Sequence, residues 1–171
     1  ISGIILAVIL LLVIGLVAYL CITEFSPEPR EAVARYQLAE DSAALQAGQA
    51  LTVFSWNIGY GGLGEESDFF MDGGQMVNPP SQQAVEKNMA GILDYIDSQP
   101  ADAWLLQEVD VNSARTGNTD QFAALQKNWN GSSGFAYNFK CPFVPIPLPP
   151  MGRIEGGIAT LTAEATSADM Q

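Results

Sequence analysis

Histidine is missing from all 171 residues. No reaction that relies on a histidine base, nucleophile or metal ligand is complete within this chain. Cations are scarce as well: 7 Lys and Arg against 19 Asp and Glu leave a net charge of −12 at pH 7. That balance argues against broad electrostatic attraction to nucleic acid or anionic lipid. Two cysteines exclude a disulfide scaffold and a multi-cysteine zinc site. Hydrophobic residues make up 48% of the chain, which rules out wholesale disorder. The length fits one domain or a little more.

The longest apolar run is residues 1–22, which carry no charge and are mostly Ile, Leu and Val. At about 1.5 Å per residue such a helix crosses a ~30 Å hydrocarbon core. A buried core helix rarely runs this long without a polar face. A cleaved signal peptide is the stronger rival, although its apolar region is usually only about 7–15 residues. Cys21 invites a lipoprotein reading, but Ala18, Tyr19 and Leu20 before it are a poor match to the small residues expected there. We expect a single-pass anchor. The acidic flank, Thr23 to Arg30, does not suit a cytoplasmic loop, so the rest of the chain is expected outside the cytoplasm. The first residue is Ile rather than Met, and the sequence reads as cut at its start.

Pro27 and Pro29 open a linker. Residues 31–47, rich in Ala, Leu, Glu and Gln, predict a helix closed by Gly48. Residues 51–58 predict a central strand. A glycine-rich loop follows, ending at Asp72-Gly73-Gly74, which reads as a turn or as the rim of a site. Ser81 caps a predicted helix over 82–98, with Val85, Met89, Ile92 and Ile96 as its core stripe. Residues 103–107 predict a second strand. A helix capped by Thr119 should run to about Trp129, turning Phe122, Leu125 and Trp129 inward. Residues 135–144 predict a strand, 145–150 a polyproline-like stretch, and 156–162 a further strand. The order suggests a layered α/β domain in which helices cover a sheet. A sheet ending so near the last residue leaves an edge and a face uncovered, so the fold is expected to be incomplete. Trp56 and Trp104 are expected in the core. Cys21, at the membrane face, and Cys141, in a strand, are not expected to pair.

Two strands end in polar residues. The first delivers Asn57 before Gly59; the second delivers Gln107 and Glu108, then Asp110, Asn112 and Ser113. In α/β folds, sites gather where loops leave strand ends. One carboxylate with nearby amides suits hydrated Mg²⁺, which takes few protein ligands. The plain alternative is that Asn57 caps a turn and Glu108 is a solvated strand end.

Phe54-Ser55-Trp56-Asn57-Ile58-Gly59, then Asp102-Ala103-Trp104-Leu105-Leu106-Gln107-Glu108-Val109-Asp110, resembles the endonuclease/exonuclease/phosphatase superfamily. Gly156-Gly157-Ile158-Ala159-Thr160-Leu161-Thr162 is similar to the Gly-rich strand that follows in that family. Residues 68–74 and 144–150 resemble a membrane-attached bacterial branch. The resemblance implies a deoxyribonuclease-I-like, four-layered α/β sandwich, of which residues 51–171 would be the N-terminal part, after an anchor over 1–22 and a linker and helix over 23–50. It implies a phosphoesterase using Mg²⁺, with Mn²⁺ as the substitute. Glu108 would be the principal metal ligand and Asn57 would orient the metal or a phosphate oxygen. Asp110, Asn112, Ser113 and Arg115 follow Glu108 directly and are expected to line the substrate cleft, with Arg115 either a phosphate contact or an ordinary loop arginine; Tyr137 and Asn138 stand where the family often has a phosphate-contacting tyrosine. The family's His–Asp pair and Asp-x-Asn motif come from the second half of such a domain, and nothing after Thr162 matches them. These 171 residues alone are therefore expected to be inactive.

The substrate implied is a phosphate ester: nucleic acid, a phospholipid head group or a small phosphoester. The N-terminal helix implies contact with a bilayer, and no feature implies a protein partner. The competing expectation is a non-catalytic, membrane-tethered binding domain on the same scaffold.

Overall fold

The computed structural model describes residues 2–39 and 47–163. Helix α1, Ser2–Ile22, is apolar on every side and has no buried residue. It is long and apolar enough to cross a membrane, a property that a signal sequence shares.

Five strands form one sheet: β1 (Arg35–Gln37), β2 (Val53–Asn57), β3 (Ala103–Asp110), β4 (Ser132–Val144) and β5 (Gly152–Thr162). Their order is β1-β4-β5-β3-β2. β2 and β3 run parallel; β3 with β5, β4 with β5, and β1 with β4 are antiparallel. Two helices, α2 (Gln82–Ser98) and α3 (Gln121–Asn128), complete a mixed α/β fold. A parallel pair needs a crossover connection, and α2 supplies it between β2 and β3.

α2 starts where its cap dictates: Ser81 Oγ accepts from the Ala84 N–H. Its stripe of Val85, Met89, Ile92 and Ile96 is buried against Trp104, Leu106, Ala159 and Leu161 of the sheet. α3 contributes Phe122 and Leu125 to the same core. Its cap is Asp120, which accepts from the Ala123 N–H, rather than Thr119; both residue types cap well and the carboxylate prevails. Trp104 is fully buried and Trp56 packs partly buried beside it. The opposite sheet face presents Val53, Leu105 and Ile158, all exposed.

The helix expected over 31–47 is corrected in part. Arg35–Gln37 is a strand on the edge of β4, with Arg35 opposite Phe135. The Ala34 N–H also donates to the Phe135 carbonyl, and Arg35 Nη1 reaches Asp120 Oδ2 at 2.6 Å. An open edge offers backbone partners that outweigh a local helix preference. Residues 40–46 of that expected helix lie outside the described residues. Residues 145–150 bend between β4 and β5 rather than running straight.

Candidate functional site

β2 and β3 end at the same edge of the sheet, with Asn57 opposite Gln107 in register. One step on, Asn57 Nδ2 donates to Glu108 Oε1 at 2.8 Å. Asn57 Oδ1 accepts from the Gly59 N–H at 2.9 Å. The asparagine thus ties the loop start to the carboxylate, and the two residues expected to converge do so.

A β-bulge sets the pose of Glu108. Leu106 faces Ala159 and Val109 faces Gly157, so Gln107 and Glu108 together oppose the single residue Ile158. Without the bulge, the same residues would alternate from buried Leu106 and drive Glu108 into the core. With it, Val109 returns to the core and Glu108 stays partly exposed. Glu108 has φ 56°, a left-handed conformation that costs a non-glycine residue roughly 1–2 kcal/mol. Such strain clusters at functional sites.

The loop after β2 is also left-handed. Gly59, Tyr60 and Gly61 have φ 54°, 44° and 62°; glycine takes this region without penalty, Tyr60 does not. Tyr60 is buried and held from two sides. Gln121 Nε2 donates to its carbonyl at 2.6 Å, and the Arg115 guanidinium lies over its ring. Burial raises the Tyr60 pKa above that of an ordinary phenol; Arg115 opposes this, while Glu108, Asp110 and Asp72 add to it.

The residues after Glu108 have other partners. Asp110 is fully buried, and Arg115 grips it through Nε at 2.9 Å and Nη2 at 3.0 Å. The Asp110 N–H donates to Gln121 Oε1 at 2.9 Å. Asp110 and Arg115 therefore form a brace beneath the site rather than a lining of its surface, because a buried carboxylate needs its cation. Asn112 is half-buried and held by Arg153, whose Nη2 donates to Asn112 Oδ1 at 2.8 Å. Tyr137 packs edge-on against Phe135 beside the helix-covered core, with Lys140 Nζ 3.6 Å from its ring centroid. Its pKa is raised, first by burial and then by Glu155. Asn57 and Glu108 are thus the pair joined by a direct hydrogen bond, while Asp110, Arg115, Asn112 and Tyr137 are engaged with other partners.

A cavity of about 530 Å³ opens beside Asn57, walled by Gly59, Gly61, Gly64, Lys87 and Asn88. Asn88 Nδ2 donates to the Gly61 carbonyl at 2.9 Å, which pins the loop to α2. Sequence reasoning passed over Lys87, Asn88 and Gln121. The helical phase that buries Met89 sets Asn88 at the margin of the stripe, which was the available signal for it. Asp72-Gly73-Gly74 forms a turn, with the Gly74 N–H donating to the Phe69 carbonyl.

Among the described residues, no three His, Cys, Asp or Glu side chains gather as a metal cluster. A lone carboxylate braced by an amide fits a hydrated, oxygen-liganded cation such as Mg²⁺ or Mn²⁺ and does not fit a closed zinc site. No family model matches the chain, and no curated protein or solved structure gives a match.

Proposed function

We propose that this chain is part of a membrane-anchored, divalent-cation-dependent phosphoesterase of the endonuclease/exonuclease/phosphatase type. The observation that carries the reading is the Asn57–Glu108 hydrogen bond at the shared end of two parallel strands. Strand ends of this kind are where α/β folds build their sites. The motif order along β2, β3 and β5 supports the same reading, and so does the apolar sheet face of Val53, Leu105 and Ile158, which a second sheet layer of a sandwich would bury.

Glu108 would hold the Mg²⁺ or Mn²⁺ through its carboxylate. When bound, the ion supplies charge neutralisation at the phosphate ester. Asn57 would fix one Glu108 oxygen through its amide nitrogen, and its own oxygen, which accepts from the Gly59 N–H, keeps a lone pair to orient the ion or a phosphate oxygen. The Asp110–Arg115–Tyr60 brace keeps the strand end and the left-handed loop in place. Helix α1 would anchor the chain, and the scarcity of cations after it, with Arg30 alone in residues 23–34, favours an extracytoplasmic domain.

Because the chain has no histidine, the test reads metal binding rather than turnover. Mn²⁺ is titrated calorimetrically into the full chain in phosphatidylcholine nanodiscs. Glu108→Gln keeps the shape and removes the charge, and should weaken binding by about tenfold or more. Equal Mn²⁺ affinity in wild type and variant would sink the assignment.

A further inference from the structure

The end of α1 meets the outer half of the β4–β5 hairpin. β3 stops pairing with β5 at Asp110–Gly156, while β4 and β5 continue to Val144–Gly152. The hairpin therefore projects beyond the rest of the sheet. Leu20, Cys21 and Phe25 share one cavity of about 470 Å³ with Phe139, Cys141 and Phe143. Lys140 Nζ lies 5.1 Å from the centroid of the Phe25 ring.

The projecting segment is conspicuously apolar at its surface. Ile146 and Leu148 are 75% and 81% exposed, and Phe139 and Phe143 are exposed as well. Its charge also departs from the rest of the chain. The hairpin strands and their connection, residues 132–154, contain no Asp or Glu and include Lys140 and Arg153, the latter paired with Glu155. In a chain of net charge −12, this stretch carries no negative side chain that a membrane surface would repel. Large apolar side chains flanked by a basic one, level with the end of a membrane helix, match the composition of a bilayer interface zone.

We propose that the tip of the β4–β5 hairpin, through Phe143, Ile146 and Leu148, dips into the headgroup region of the bilayer that α1 crosses. The occupant of this apolar surface is lipid. The inference rests on reading α1 as a membrane anchor. It adds a second point of attachment, which fixes how the domain faces the membrane; one helix followed by a linker leaves the domain free to swivel.

The test places single cysteines carrying a nitrobenzoxadiazole fluorophore in a Cys21→Ser, Cys141→Ser background of the full chain. The protein is held in phosphatidylcholine nanodiscs that contain nitroxide-labelled lipids. Probes are placed at Ile146→Cys and Leu148→Cys, at Val13→Cys within α1, and at Leu105→Cys on the exposed sheet face. The hairpin probes should be blue-shifted and quenched about twofold or more beyond Leu105, most strongly by nitroxides near the headgroup. Val13 should be quenched by deep nitroxides. Quenching at Val13 with hairpin probes no more quenched than Leu105 would leave the anchor standing and overturn the proposal. No quenching at Val13 would overturn the anchor reading and the proposal with it. Blue-shifted hairpin probes without lipid quenching would mean a protein occupant, a second copy included, and would also overturn it.

Discussion

The Arg115 guanidinium lies 3.6 Å from the centroid of the Tyr60 ring. The same guanidinium makes two hydrogen bonds to Asp110, so one side chain couples the end of β3 to the left-handed loop after β2. Asp110 is 0% exposed and Arg115 15%. A pair this deep is costly to break, because the surviving charge stays buried.

Arg115→Met should therefore destabilise the chain by about 3–5 kcal/mol. Adding Asp110→Asn to that variant should recover part of the loss, since the stranded charge is then gone. Urea unfolding of the full chain in nonionic micelles, followed by tryptophan fluorescence, measures both. An Arg115→Met variant as stable as wild type would refute the brace.

Backbone strain at Glu108 separates its role in folding from its role at the site. Glu108→Gly should be more stable than Glu108→Ala by about 1 kcal/mol, because glycine takes φ 56° without penalty. Both should lose Mn²⁺ affinity to the same extent. Equal stabilities would show that the left-handed pose is not maintained in solution.

Asn57→Ala should weaken Mn²⁺ binding less than Glu108→Gln does, since an amide supplies no net charge. The loss should be about tenfold, the low end for residues that orient a ligand rather than serve as one. It should also loosen the loop, because Gly59 loses its acceptor. Calorimetry reads the first effect and amide hydrogen exchange at Gly59 the second. A larger metal defect than that of Glu108→Gln would make Asn57 the principal ligand.

Burial raises the Tyr60 pKa. The folded state then keeps the phenolic proton at a pH where the unfolded chain has lost it. The stabilisation is complete below the unfolded phenol's pKa, about 10, and is lost as pH rises through the higher folded value. Tyr60→Phe should leave stability near neutrality largely unchanged and flatten its decline above about pH 10. Tyr137 is raised as well and should account for part of the decline that remains. Circular dichroism melts from pH 8 to 11 compare the two chains. Identical alkaline profiles would mean that Tyr60 is not buried in solution.

What the sequence disclosed and what it hid follow from the range of the forces involved. α2 was legible because cap and stripe are local: Ser81 and the apolar spacing lie within one helix. The meeting of Asn57 and Glu108 was legible because parallel strands joined by a helix end on the same side. β1 was hidden, since Arg35–Gln37 is a strand only in the presence of β4, about a hundred positions away in the chain. Asp110 and Arg115 looked like surface residues because polar type says nothing about a partner five residues on in a loop. The bulge was hidden too, since glutamate carries no signal for a left-handed backbone.

That bulge has a genetic consequence. β3 holds one residue more than its pleat requires, so an in-frame deletion of residue 107 would mend the alternation and leave Val109 in the core. The deletion would produce a regular strand with a glutamate at its surface in a relaxed backbone. The longer reading frame is thus the one that aims a carboxylate, and the shorter one merely makes a strand.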